Sequence, residues 1–91
     1  MKINCELLYG GKVKYEKKEK ETKKKTGEVS YIYNFLEVDY ERNIVNSKSY
    51  FNDEDLDTSK LELLKPCLVE FEISAMSDFK KFVGVKPVKW F

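Results

Sequence analysis

The 91-residue chain has no histidine, two cysteines, two prolines and four glycines. Without histidine it lacks the commonest general base, the usual activator of a Ser or Cys nucleophile, and the commonest metal ligand. Two thiols alone fall short of the about four ligands that a zinc site needs. Gly10, Gly11, Gly27 and Gly84 form neither Gly-x-Gly-x-x-Gly nor Gly-x-x-x-x-Gly-Lys, so no phosphate-cradling glycine loop is present. No apolar run reaches the ~18 residues of a membrane span. The opening Met1-Lys2-Ile3-Asn4-Cys5-Glu6 lacks the apolar stretch of a signal peptide. The expectation is a cytoplasmic protein with no membrane partner, no cofactor, no metal and no enzymatic activity. In that compartment Cys5 and Cys67, each within an apolar alternation, are free core thiols rather than a disulfide.

What remains is sufficient for one small domain, 1–91. Hydrophobic residues make up 42% and aromatics 14%, enough for a core. The net charge of +1 hides a strong segregation. Residues 1–27 hold nine lysines against four glutamates, net +5. Residues 28–78 carry net −8, and residues 79–91 carry four lysines and no acid. A uniform surface and a basic–acidic–basic chain have the same total but different partners.

The hydrophobic pattern is mostly period two. Ile3, Cys5 and Leu7 form a first half-buried strand, and Gly10-Gly11 permits a bulge or bend before Val13 and Tyr15. Lys17 to Thr26 has no apolar residue, so a flexible lysine-rich loop is expected over about 16–27. Glu28 to Asp39 is the strongest strand, rich in β-branched and aromatic residues. Ile44–Phe51 is a third and Cys67–Ile73 a fourth. Phe79 to Lys89 is a fifth, with Pro87 placing its end at a sheet edge. Thr58 to Leu64 reads as a short helical turn that Pro66 ends. Together these predict an all-β chain: a small five-stranded OB-like barrel with one short helical turn, a sandwich or SH3-like barrel being the alternative.

Three features carry chemistry. The first is a lysine run, Lys12, Lys14, Lys17, Lys18, Lys20, Lys23, Lys24 and Lys25. It reads as a solvated surface or as a phosphate-attracting arm, because each neutralised phosphate releases counterions. The second is the stripe Tyr31, Tyr33 and Phe35 on one face of the second strand. Ile32, Leu36 and Val38 on the other face suit an interior, so the stripe is expected to face out as a stacking platform for bases or as a protein contact. The third is the basic end. Lys80, Lys81, Lys86 and Lys89 interleave with Phe79, Phe82, Trp90 and Phe91, the last two expected to dock on the barrel or to meet a partner. The acidic group Asp53-Glu54-Asp55-x-Asp57 lacks the glycine and distal glutamate of an EF-hand and reads as a solvated turn.

The segment Lys65-Pro66-Cys67-Leu68-Val69-Glu70-Phe71-Glu72-Ile73-Ser74, with Phe79, Gly84 and Pro87, resembles the last two strands of small phage single-stranded DNA-binding proteins of the OB type, the filamentous-phage gene V protein among them. The likeness covers about a third of the chain. It implies a dimeric, sequence-independent binder of single-stranded DNA, in which a tyrosine-bearing hairpin and basic residues meet the DNA. By position Tyr31 and Tyr33 take that role, with Lys12, Lys14 and Lys25 around them.

The functional expectation is sequence-independent binding of single-stranded DNA, with RNA left open. Lys12, Lys14, Lys23, Lys24, Lys25, Tyr31, Tyr33, Phe35, Lys80 and Lys81 would form the interface, and the acidic middle would lie on the far side. The alternative is a small protein-interaction module, a phage or mobile-element regulator or inhibitor, using the aromatic or acidic surface.

Overall fold

The computed structural model describes residues 1–18, 21–22, 24–76 and 82–91, with backbone alone at 25, 76, 82 and 83. Seven strands follow one another: β1 (Lys2–Lys18), β2 (Lys25–Asp39), β3 (Ile44–Asn52), β4 (Pro66–Glu72), β5 (Ala75–Met76), β6 (Phe82–Val83) and β7 (Lys86–Trp90). Five of them form one antiparallel sheet in the order β3-β2-β1-β4-β7. β5 and β6 pair separately as a two-stranded ribbon.

β1 is the organising strand. Its first half pairs with β4, from Lys2↔Glu72 to Leu8↔Pro66. Its second half pairs with β2, from Leu8↔Leu36 to Lys18↔Lys25. The expected bend falls where the changeover occurs, since the register shifts between Tyr9 and Gly11. Gly11 sits at φ 108°, which a side chain adopts only with strain, and a Cβ on Gly10 would come within 3.1 Å of the Asn34 carbonyl. The glycine pair lets β1 bend and serve two partners. The ladder continues through the lysine-rich segment to Lys18↔Lys25, so residues 16–18 and 25–27 are strand rather than loop.

The expected barrel is not closed. β3 and β7 stand at opposite ends of the strand order, and no ladder joins them. Their ends pack against each other, and Asn52 Nδ2 donates to the Pro87 carbonyl at 2.8 Å. The expected helical turn is absent as well: no helix occurs among the described residues, and 58–64 contains only turns. The reason is where its backbone groups go. The Leu64 N–H donates to the Tyr9 carbonyl at 2.8 Å, and the Tyr9 N–H to the Lys65 carbonyl at 3.1 Å. Leu64 lies at φ 63°. A seven-residue segment is too short to offset helix nucleation, and pairing with β1 satisfies its donors instead. The single fifth strand expected from Phe79 is divided into β6 and β7 by Gly84 at φ 66°; Phe79 itself lies outside the described residues.

The core is aromatic. Leu7, Tyr9, Tyr33, Phe35, Cys67, Val69 and Phe71 form one buried cluster. Phe35 is at its centre, with ring centroids 6.1 Å from Tyr9, 6.2 Å from Tyr50 and 6.1 Å from Phe71, in tilted or edge-on contacts. Trp90 packs on Tyr33 at 5.6 Å and donates its indole N–H to the Asp57 carbonyl at 2.8 Å. The C-terminal tryptophan thus docks as expected, while Phe91 stays exposed. Cys67 is buried, Cys5 is half-buried, and both are free. Burial pushes the Cys67 thiol pKa up, which keeps it protonated and unreactive.

Candidate nucleic-acid interface

The stripe expected to face solvent faces inward. Tyr33 and Phe35 are 0% exposed, and Tyr31 is half-buried. The cause lies on the neighbouring strands. Tyr9 pairs with Phe35, Tyr33 pairs with Tyr50, and the diagonal Phe35–Tyr50 ring contact joins the two rows, so rings from three strands fill the concave side. Aliphatic residues on the other face of β2 had suggested the reverse, but alternation alone carries no sign. Tyr33 is tolerated inside because its hydroxyl is fully used. It donates to the Glu54 carbonyl and accepts from the Leu56 N–H, each at 2.7 Å. Buried rings do not stack on bases, so Tyr33 and Phe35 leave the list of contact residues.

The acidic loop does not lie on the far side either. It follows β3 directly and folds onto the base of the β1–β2 hairpin. Lys12 Nζ bonds the Asp55 carboxylate and donates to the Leu56 carbonyl at 2.9 Å. It also lies over the Tyr31 ring at 4.9 Å and the Tyr33 ring at 5.7 Å. Partial burial acts to lower the Lys12 pKa, but the Asp55 hydrogen bond and the fields of Tyr33 and Asp55 outweigh it, and the net shift is upward. Lys12 is therefore a fixed structural cation. Lys14 pairs with Tyr31 on the same face and is exposed. Lys24 is exposed, and Lys25 opens β2. Lys23, Lys80 and Lys81 lie outside the described residues.

Asp57 caps the next turn, accepting from the Ser59 N–H at 2.9 Å. The carboxylates of Asp53, Asp55 and Asp57 thus go to Lys17, Lys12 and Ser59. Among the described residues no group of three or more Cys, Asp or Glu is placed to hold a metal ion. No described helix is long and apolar enough to cross a membrane.

The other face of the sheet carries aromatics that sequence reading missed. Val13 pairs with Ile32 and Ile32 with Phe51, making an apolar row across β1, β2 and β3. Tyr15 sits beside it, its ring 6.0 Å from that of Phe51 and edge-on at 80°. Phe51 is 56% exposed and Val13 50%. Within the same patch Lys17 Nζ approaches the Asp53 carboxylate at 2.9 Å. Phe51, Asn52, Asp53 and Lys86 line a shallow groove of about 290 Å³. The available signal was the alternation of Val13 and Tyr15. What joins them to Phe51 is register, which only the folded ladder supplies.

Compared with family models, curated proteins and solved structures, the chain matches none.

Proposed function

We propose that the protein binds single-stranded DNA without sequence preference, on the outer face of β1–β2–β3. The observation that carries this reading is the exposed Phe51 ring, edge-on to the half-buried Tyr15 ring and beside Lys17 and Lys86. Unpaired bases stack on exposed rings of a sheet, and nearby lysines meet the phosphates between them. The hairpin lysines Lys14, Lys18 and Lys24, all exposed, extend the positive surface beyond the sheet. The reading is supported by an order compatible with an OB-like barrel left open on one seam: β1 is shared between two partners, and β3 and β7 pack together without a ladder. The test is a titration of fluorescent oligothymidylate at several salt concentrations. Binding at low salt that weakens log-linearly with salt is expected. No binding at low salt, or binding indifferent to salt, overturns the reading.

A second reading, a protein-interaction module, is favoured by a different region. β3 is a free sheet edge without proline or bulge, and Ile44, Val45 and Tyr40 at its start are exposed, Tyr40 at 87%. A stoichiometric protein partner retained after nuclease treatment would select it over DNA.

A further inference from the structure

The patch beside Phe51 contains an anion site already filled by the protein's own carboxylate. Asp53 follows the last residue of β3, next to Ser30 of β2, because Tyr31 pairs with Asn52. Lys17 reaches it from β1 at 2.9 Å. Lys86 reaches the same groove from β7. Ser30 is 1% exposed, and its hydroxyl lies 3.5 Å from the Asn52 carbonyl. Hydrogen bonds from Lys17 first and Ser30 second, with the field of Lys86, hold the Asp53 carboxyl below its ordinary pKa despite some desolvation. Lys17 of β1 thus pairs with one carboxylate, Lys86 of β7 lines the same groove and Ser30 of β2 lies beside it, two residues along the chain from the exposed Phe51 ring.

The two lysine–aspartate pairs of the hairpin are not equivalent. Lys12 is held by Asp55, by a backbone carbonyl and by two rings, and its side chain is 20% exposed. The Lys17 and Asp53 side chains are 36% and 71% exposed, and among the described residues no ring or backbone carbonyl holds the Lys17 ammonium. Exposed pairs of this second kind contribute little and exchange readily with solution ions. A phosphate offers the same acceptor chemistry with more oxygens and more charge.

We propose that Lys17, Ser30 and Lys86 form a phosphate-binding cradle and that Asp53 is its resident internal competitor, displaced when a nucleic-acid phosphate enters. This rests on the DNA reading above and adds its regulation. The acidic loop lowers affinity at this cradle, so that a phosphate alone competes poorly, whereas one carried by a strand whose base stacks on Phe51 succeeds. The competitor sets a threshold against short or free phosphate ligands.

The experiment compares the wild type with Asp53→Asn, and with Glu41→Gln as a control that makes the same charge change on the β2–β3 turn. Fluorescent oligothymidylate of about 16 nucleotides serves as probe. Asp53→Asn is expected to bind up to about fivefold more tightly, the effect of releasing one exposed pair. Its salt dependence should steepen by about 0.7 in log–log slope for each phosphate newly engaged. Glu41→Gln should change affinity less than Asp53→Asn. Lys17→Ala in the Asp53→Asn background should remove the gain, with thermal melts confirming that every variant is folded. If the wild type binds and Asp53→Asn binds no more tightly than Glu41→Gln, the cradle is wrong while the DNA reading stands. If only Asp53→Asn binds, the competitor role of Asp53 is supported and the reading of the wild type as a DNA binder falls. If neither binds, both fall.

Discussion

The two faces of the β1–β2–β3 sheet both carry aromatic rings and have opposite roles. On the concave side Tyr33 and Phe35 meet rings from β1, β3 and β4 and lose all contact with water. On the convex side Ile32 lies between Val13 and Phe51, and that row remains open. What separates them is coverage: β4 and β7 complete the wall around one side, and among the described residues Val13 and Phe51 on the other stay exposed. Aromatic content therefore does not distinguish a core from a binding surface in this chain. The partners across the ladder do.

The largest test of that contrast is Phe35→Ala. It deletes a ring that three others touch, and should cost about 3–5 kcal/mol, leaving little folded protein at ambient temperature by chemical denaturation. Phe51→Ala is its counterpart on the open face. Denaturation should shift by only about 0.5 kcal/mol, while oligothymidylate binding falls by ~1–3 kcal/mol, roughly 5- to 150-fold. Equal losses of stability from the two substitutions would erase the distinction. Tyr33→Phe sharpens it within the core by keeping the ring and removing the hydroxyl. The Leu56 N–H and the Glu54 carbonyl then lose their shared partner, at about 1–3 kcal/mol in the same denaturation experiment.

Acid should act where the loop meets the hairpin. Asp53, Asp55 and Asp57 all titrate below the ordinary value of 3.8: Asp53 and Asp55 chiefly through hydrogen bonds from Lys17 and Lys12, Asp57 through the Ser59 backbone. Their folded pKa values are depressed, so their stabilisation is complete above the unfolded value and is lost as pH falls through the folded ones. Melting temperature should decline from about pH 5 downward, and an Asp53→Asn, Asp55→Asn double variant should show a flatter acid limb. The smallest effect is expected at Glu37→Gln. It breaks the 3.0 Å pair with Lys48, both partners about half exposed, and should cost at most about 1 kcal/mol.

The strands themselves were legible because one face of each is buried. Ile44–Phe51 and Cys67–Ile73 match β3 and β4 to within one residue at each end. The hairpin extension was not legible. Lys17 and Lys18 on β1 and Lys25 and Thr26 on β2 stand beyond the core, so pairing there leaves no apolar alternation to read. The helical turn was misread because Thr58–Leu64 has the right cap and apolar spacing, while its donors are taken by Tyr9, which is remote in sequence. The site was half legible. Lysine enrichment pointed to the hairpin, but the inward turn of Tyr33 and Phe35, the Tyr15–Phe51 contact and the fold-back of Asp53 and Asp55 all depend on which strand lies beside which. Charge segregation along the chain also predicted separation in space; the turn after β3 instead brings opposite charges together.

The shared strand β1 has a consequence for the order of folding. Its second half closes onto β2 through a short local connection, an event of about 1–10 μs for a hairpin. Its first half waits for β4, and Lys2 must find Glu72 across most of the chain. Such a long-range closure is slow, because loop entropy is lost before the contact is gained. Until then Ile3, Cys5 and Leu7 form an exposed strand edge. The slow phase of refolding should therefore report on the β1–β4 seam, and substitutions in Leu7 or Val69 should slow it more than substitutions in the hairpin.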